Sequence, residues 1–191
     1  WKPKNIEHPA EPLVVIDEAY YEYASFKKDY PQTLKYLAKN PNLIVLRTFS
    51  KIYALAGARV GYGFTSEGVA DYIERIRPPF NLNIFAQAGA IASLKDDSQV
   101  KRSLSHIRKE MKFVTDGLKK MKIPFIDSVA NFVLFSVAPL SGTDIFKKLL
   151  REGVIVRAMA EYDLDGYIRV TIGTRAENQL FLNKLKKVLG K

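Results

Sequence analysis

The sequence contains no cysteine. Disulfides, thiolate metal sites and a thiol nucleophile are therefore excluded. Histidine occurs only twice, and neither His8 nor His106 sits in a motif; both are expected to be surface or packing residues, and no metal site is expected. Long apolar runs are also missing. None approaches the roughly 20 residues that a membrane-spanning helix needs, so no membrane segment is expected. The chain opens neither with Met nor with a basic-then-apolar leader; no targeting segment is expected, and a cysteine-free chain of this kind fits the cytoplasm. Acidic residues are in deficit, 20 against 30 Lys and Arg, for a formal net charge of +10. That balance suits a phosphate-rich partner. Yet many lysines (Lys147, Lys148, Lys184, Lys186, Lys187) recur as spaced polar positions of predicted helices. No zinc-finger spacing or aromatic RNA-binding motif accompanies them. A solvated basic surface is expected, not a nucleic-acid interface.

What is present is ordinary for a globular chain: 191 residues, 47% hydrophobic and 26% charged. The segments from Trp1 to Asn5 and at Glu11-Pro12 read as loop. Leu13-Val-Val-Ile16 and Leu43-Ile-Val-Leu46 are short, β-branched apolar runs that suit strands covered on both faces. Pro31 to Asn40 between them reads as a short helix, and strand–helix–strand implies a parallel crossover. Arg59 to Phe64 is a third predicted strand. Helices are predicted over Ser66–Ile76 and, as a buried Ala-rich element, over Ile84–Leu94. Val100, Leu104, Ile107, Met111, Val114, Leu118 and Met121 then alternate four- and three-residue steps, which places all seven on one face of a long helix. A smaller α/β unit follows. Its predicted strands are Asn131–Phe135, Gly153–Val156 and Tyr167–Ile172, with a helix over Thr143–Glu152. A last helix opens at Thr174 with Glu177 three residues on, the capping-box spacing. The class is α/β, with a mostly parallel sheet and flanking helices expected in the first part, a smaller α/β domain after it, and a boundary expected near residue 96, giving domains 1–96 and 97–191.

Chemistry concentrates after the first two strands. Asp17 and Glu18 close the first; in a parallel sheet, carboxyl ends are where ligands bind. An Asp there can bind a metal, take a proton, pair with a cation or simply cap a turn. As neighbours in extended chain the two acids face opposite ways and form no dyad. The segment Arg47-Thr-Phe-Ser-Lys-Ile-Tyr-Ala-Leu-Ala-Gly-Ala-Arg59 directly follows the second strand. It brings Thr48, Ser50 and Lys51 to that strand's carboxyl end. A site lysine becomes a nucleophilic amine when burial or nearby positive charge lowers its pKa. Hydroxyls and an Arg beside it suit a phosphate ester.

Val15-Ile-Asp17-Glu-Ala-Tyr20, Thr48-Phe-Ser50-Lys51 and Ala-Gly-Ala-Arg59 with Gly61 together resemble the fold-type I pyridoxal-phosphate aminotransferases, most of all the histidinol-phosphate aminotransferase group. The order, the 34-residue step from Asp17 to Lys51 and the eight-residue step to Arg59 all match. So do Asn131-Phe-Val-Leu, Val154-Ile-Val-Arg157 and Ile168-Arg169-Val-Thr-Ile-Gly-Thr-Arg175-Ala-Glu-Asn178. The resemblance implies pyridoxal 5'-phosphate as cofactor, with Lys51 as the lysine that joins it covalently and carries the substrate proton. Asp17 would pair with the ring nitrogen and Tyr20 with the phenolic oxygen. Ser50, Arg59 and Thr48 would hold the phosphate. Arg169 would clamp a substrate carboxylate as a planar fork, Arg157 would face a substrate phosphate, and Asn131 would bond near the site. The implied partners are a small amino donor and a 2-oxo acid, here L-histidinol phosphate and 2-oxoglutarate of histidine biosynthesis, with a homodimer when intact.

Members of the group are about twice this long. The chain thus resembles a C-terminal half: the end of the large cofactor-binding domain (1–96) plus the small domain (97–191). Three alternatives stay open. The same apparatus serves aromatic and other amino-acid aminotransferases and threonine-phosphate decarboxylase. In a different class, the 191-residue chain as it stands is a non-catalytic fold fragment that exposes the apolar face its missing half would cover.

Overall fold

The computed structural model describes residues 12–190; the loop expected over the first residues, and His8, lie outside them. The chain divides into two compact units, one reaching Val100 and the other starting at Lys101. Among the described residues no helix is long and apolar enough to cross a membrane.

The first unit is built on a three-stranded sheet in the order β1 (Val14–Asp17), β2 (Leu43–Thr48), β3 (Gly61–Phe64). β1 and β2 are parallel, with Asp17 opposite Leu46. β3 returns antiparallel to β2, with Gly61 opposite Thr48. The twelve residues between these two strands hold only a 3-10 turn over Ala56–Ala58 and no crossover helix. Between β1 and β2, a four-residue helix α1 (Tyr21–Ala24) precedes a 3-10 turn over Thr33–Lys39, where a short helix was predicted. α2 (Glu67–Ile76) is capped by the Ser66 hydroxyl, which accepts from the Val69 amide.

Two burial expectations fail here. β1 is not covered on both faces: Val14 and Val15, which alternate to opposite faces of the sheet, remain about half exposed among the described residues. The helix α3 (Ile84–Lys95) is found, but it is not buried. Only Ala86 and Ala90, one turn apart, pack against Phe49 and Val60. A stripe of alanines allows that close approach, and it turns Ile84, Phe85, Ile91 and Leu94 to solvent.

The second unit has an antiparallel sheet in the order β4 (Phe125–Ile126), β5 (Phe132–Ser136), β7 (Tyr167–Thr171), β6 (Arg157–Ala158). α4 (Asp97–Lys120), α5 (Gly142–Arg151) and α6 (Arg175–Val188) accompany it. Val114 and Leu118 of the predicted α4 face are fully buried, in one core with Val133, Phe135, Ile145, Leu149, Ile168 and Leu185. Fully burying each such side chain contributes about 1.5–3 kcal/mol. Glu110 is the buried carboxylate on α4. It accepts from Arg175 at 2.9 Å and Asn178 at 3.1 Å, tying α4 to α6. His106, exposed, makes a 3.0 Å hydrogen bond with the Gly173 carbonyl. The Thr174–Glu177 capping box forms as expected.

The strand predicted over Gly153–Val156 is absent. Val154 and Val156 are buried and Ile155 is exposed, so the alternation is real. Among the described residues the segment has no ladder partner, however, and pairing with β7 begins only at Arg157. Gly142 enters α5 where only glycine fits: an added Cβ would lie 2.5 Å from the Asp165 carbonyl oxygen and 2.6 Å from that of Tyr167.

Candidate active site

In the first unit, the parallel register brings the ends of β1 and β2 level, and the chain leaves both at one edge of the sheet. A concavity there is lined by Asp17, Tyr20, Thr48, Ser50, Lys51 and Arg59, together with Leu46, Arg47 and Tyr62. Leu46 and Thr48 share a strand face, as alternation requires.

Lys51 sits on the long loop between β2 and β3. Its flanking residues anchor the loop: Phe49 and Ile52 are both 2% exposed. Phe49 also packs its ring 5.1 Å from Tyr53 and 5.3 Å from Tyr62. Backbone bonds from Ala54 to Lys51 (2.9 Å) and from Leu55 to Phe49 (3.0 Å) close the turn. Lys51 itself is exposed, with its Nζ 5.4 Å from the centroid of the Tyr20 ring. A buried hydrophobic residue on either side of an exposed amine holds the backbone and leaves the amine accessible.

The Thr48 hydroxyl oxygen accepts from the Ser50 amide at 3.0 Å, which leaves the Thr48 hydroxyl proton to donate. Arg59 adopts a left-handed backbone (φ 56°) at the end of the 3-10 turn over Ala56–Ala58, and its Nη1 donates to the Ala56 carbonyl at 2.7 Å. Gly61 is required by close approach, since an added Cβ would lie 2.9 Å from the Arg47 carbonyl oxygen. Asp17, which lines the concavity, accepts the Ala19 amide on Oδ1 at 3.0 Å, the turn-capping bond open to any Asp in this place.

Glu18 points the opposite way and is buried. Its Oε1 accepts from the hydroxyls of Thr33 (2.6 Å) and Tyr30 (3.1 Å), and its Oε2 accepts from Arg47 Nε (2.9 Å). The Arg47 guanidinium also stacks 3.3 Å over the Tyr21 ring. This network joins the chain just beyond β1 to β2 directly behind the concavity. Alongside it, burial pushes the Glu22 carboxyl above its ordinary range, with Arg47 opposing. Burial, reinforced by Glu22, pushes Tyr53 up to about 12. The sequence marked Glu18 only as facing away from Asp17, and Arg47 only as the start of a dense segment. Their pairing depends on register between strands 29 residues apart.

In the second unit, Arg157 on β6 and Arg169 on β7 are direct cross-strand partners, so their side chains leave the same sheet face. Ile168 and Val170 face the core instead. Arg169 lies over the Phe132 ring at 4.9 Å. Asn131 stands at the start of β5, where its carbonyl accepts from the Ile172 amide at 2.8 Å. Among the described residues its side chain forms no hydrogen bond. Arg157 Nε donates to Glu161 Oε1 at 3.0 Å, Nη2 donates to the same oxygen, and Nη2 donates to the Tyr162 hydroxyl at 2.9 Å. The hydrogen bond to Glu161 raises the Arg157 pKa further. Sequence reasoning singled out neither Glu161 nor its bond to Arg157; their four-residue spacing within a turn was the available signal.

Besides Arg47, which Glu18 already engages, and Tyr62, the first-unit concavity therefore offers a primary amine (Lys51), a carboxylate (Asp17), a phenol (Tyr20), two hydroxyls (Thr48, Ser50) and a guanidinium (Arg59). That donor set fits a small aromatic phosphate ester carrying an electrophilic carbonyl and a basic ring nitrogen: the hydroxyls and Arg59 for the phosphate, Asp17 for a protonated nitrogen, and Lys51 for the carbonyl.

The family profile described as aminotransferase class I and II matches residues 8–185. Histidinol-phosphate aminotransferase 2 of Carboxydothermus hydrogenoformans is 45% identical over 181 residues, 95% of this chain and 50% of that protein. Histidinol-phosphate aminotransferase of Methylobacillus flagellatus is 46% identical over 95% of this chain and 48% of that protein. Among solved structures, histidinol-phosphate aminotransferase of Sinorhizobium meliloti in complex with pyridoxal-5'-phosphate is similar with a TM-score of 0.85 at 30% identity. The match covers 93% of this chain and 49% of that one. The chain spans about half the length of the curated relatives it matches.

Proposed function

This chain belongs to the class I and II aminotransferase family, and on that premise we propose that it carries the lysine-bearing part of a pyridoxal-phosphate-dependent histidinol-phosphate aminotransferase. The observation that carries the proposal is the gathering of Asp17, Tyr20, Thr48, Ser50, Lys51 and Arg59 around one concavity. The relatives' names support L-histidinol phosphate as amino donor; 2-oxoglutarate as acceptor, a homodimer and a cytoplasmic location are inferred from the family resemblance. Residues 1–96 are read as the end of the cofactor-binding domain and 97–191 as the small domain.

Pyridoxal phosphate, when bound, supplies an electron sink for negative charge at the substrate Cα. The chain's residues have separate tasks. The Lys51 amine would attach the cofactor and, once released, would carry the proton between the substrate Cα and the cofactor's C4′ carbon. The Asp17 carboxylate favours a proton on the ring nitrogen by opposite charge. Tyr20 donates to the phenolic oxygen. Ser50, Thr48 and Arg59 bind the phosphate by charge-assisted hydrogen bonds. Arg169 receives a carboxylate of the 2-oxo acid, Arg157 the phosphate of the amino donor, and Asn131 hydrogen-bonds nearby.

The test is a pyridoxal-phosphate titration of the chain, followed by borohydride reduction and peptide mapping. A saturable absorbance band and a single adduct on Lys51 are expected. Label scattered over surface lysines, or no band, overturns the assignment of this concavity. Rates with L-histidinol phosphate, phenylalanine and threonine phosphate then decide the substrate, and L-histidinol phosphate is expected to lead.

A further inference from the structure

Two arginines directly opposite on adjacent strands repel each other, and like charges in that position are ordinarily destabilising. On chemistry alone they are interchangeable, since each presents the same fork to a carboxylate or a phosphate. The structure makes them unequal. Among the described residues, Arg169 has no carboxylate partner; its guanidinium lies over Phe132. Arg157 is already engaged by Glu161 and by the Tyr162 hydroxyl, and it lies 5.3 Å from the Tyr162 ring centroid.

The turn holding those two partners is built for the purpose. Ala160–Tyr162 forms a 3-10 turn that ends at Asp163 in a left-handed conformation (φ 58°). The Met159 carbonyl accepts from the amides of Tyr162 (3.0 Å) and Leu164 (3.3 Å). The Met159 amide itself donates to Tyr167 on β7 at 3.2 Å. The turn is thus pinned to the same strand that carries Arg169.

We propose that Glu161 is a specificity-determining residue that acts as a resident counter-ion for Arg157 and leaves Arg169 as the preferred site for an incoming carboxylate. This rests on reading the two arginines as the substrate's anion sites. The proposed amino donor brings a phosphate and the 2-oxo acid brings carboxylates, and either anion could settle on either arginine of the pair. A monoanion gains little by displacing a carboxylate that already holds Arg157, so it goes to Arg169. Both partners of the Arg157–Glu161 pair are substantially exposed, and exposed pairs of this kind are weak. A phosphate dianion, with more charge and more acceptor oxygens, can therefore still compete for Arg157. Glu161 also offsets the arginine–arginine repulsion when no ligand is bound.

The test titrates the chain with acetate and, separately, with inorganic phosphate, at constant ionic strength, following the Nε–H NMR signals of Arg157 and Arg169. Acetate is expected to bind at Arg169 at least threefold more tightly than at Arg157. In Glu161→Gln, anion affinity at Arg157 is expected to rise about three- to tenfold, the scale of removing a weak competing pair and one repulsive charge, while affinity at Arg169 stays within twofold. Arg157→Ala serves as the control. If it weakens phosphate binding while Glu161→Gln leaves Arg157 affinity unchanged or lower, the counter-ion role is overturned and the anion site stands. If Arg157→Ala leaves phosphate binding intact, the anion-site reading fails and the proposal with it.

Discussion

Replacing Glu18 by glutamine tests what fixes the carboxyl end of β1. The Glu18 side chain is 2% exposed and that of Arg47 9%. The amide is nearly isosteric, so no cavity opens. Its oxygen can keep the bonds from Thr33 and Tyr30, now 2.6 and 3.1 Å. Its NH2 then meets the Arg47 Nε–H, donor against donor, and a buried guanidinium loses its counter-charge. Removing one partner of a buried pair costs about 3–5 kcal/mol. With the hydroxyl bonds retained, the low end, about 3 kcal/mol, is expected. In a unit of about 100 residues, that lowers Tm by roughly 12–24 °C. Urea and thermal unfolding followed by the amide NMR signals of β2 report on this unit alone. The double variant Glu18→Gln/Arg47→Met removes both charges and is expected to recover at least half the loss, because deleting a whole buried pair is often near neutral. A loss below about 1 kcal/mol in Glu18→Gln, or a double variant as unstable as the sum of the single changes, would refute the reasoning.

Two further outcomes concern the second unit, and a glycine of the first unit serves as control for one of them. Hydrogen bonds from Lys184 and Lys187 hold the Glu152 carboxyl down at about 2, against an ordinary 4.5. Because the folded value is depressed, the stabilisation is present above pH 4.5 and is lost as pH falls from there toward 2. The Glu152 carboxyl carbon should titrate near 2 by NMR and move up in Lys184→Ala; an unmoved midpoint contradicts the assignment. Gly142→Ala drives a methyl into two backbone carbonyls and should cost about 1–3 kcal/mol by urea unfolding. Gly68→Ala on α2, where nothing lies within 4 Å of an added Cβ, should be neutral or slightly stabilising. Equal effects at the two glycines would show that the clash is relieved without cost.

Elements whose signals are local were legible in the sequence. The 24-residue helix α4 shows its apolar face as a simple period, and α6 shows its start as a Thr–Glu spacing. The site residues were legible as motif order, since Asp17, Lys51 and Arg59 stand at fixed steps along the chain. Burial was less legible. The valines of β1 and the large side chains of α3 have core composition, yet their exposure depends on which elements are there to cover them. The alternation of Val154, Ile155 and Val156 was visible, whereas the absence of a ladder partner was not, because pairing is a property of two segments.

By itself, then, the sequence determined the class of elements, the caps and the order of the chemical groups, since each is set by residues within a turn or two of one another. Only the tertiary structure decided three things. Thr33, Tyr30 and Arg47 converge on the buried Glu18 behind the concavity. Gly61 must be a glycine because β3 returns against Arg47. Of two equivalent arginines, the one on β6 carries a counter-ion. Each depends on strand register and on turns closed between distant segments, where a hydrogen bond or ion pair is decided by distances of 3 Å or so that no local pattern encodes.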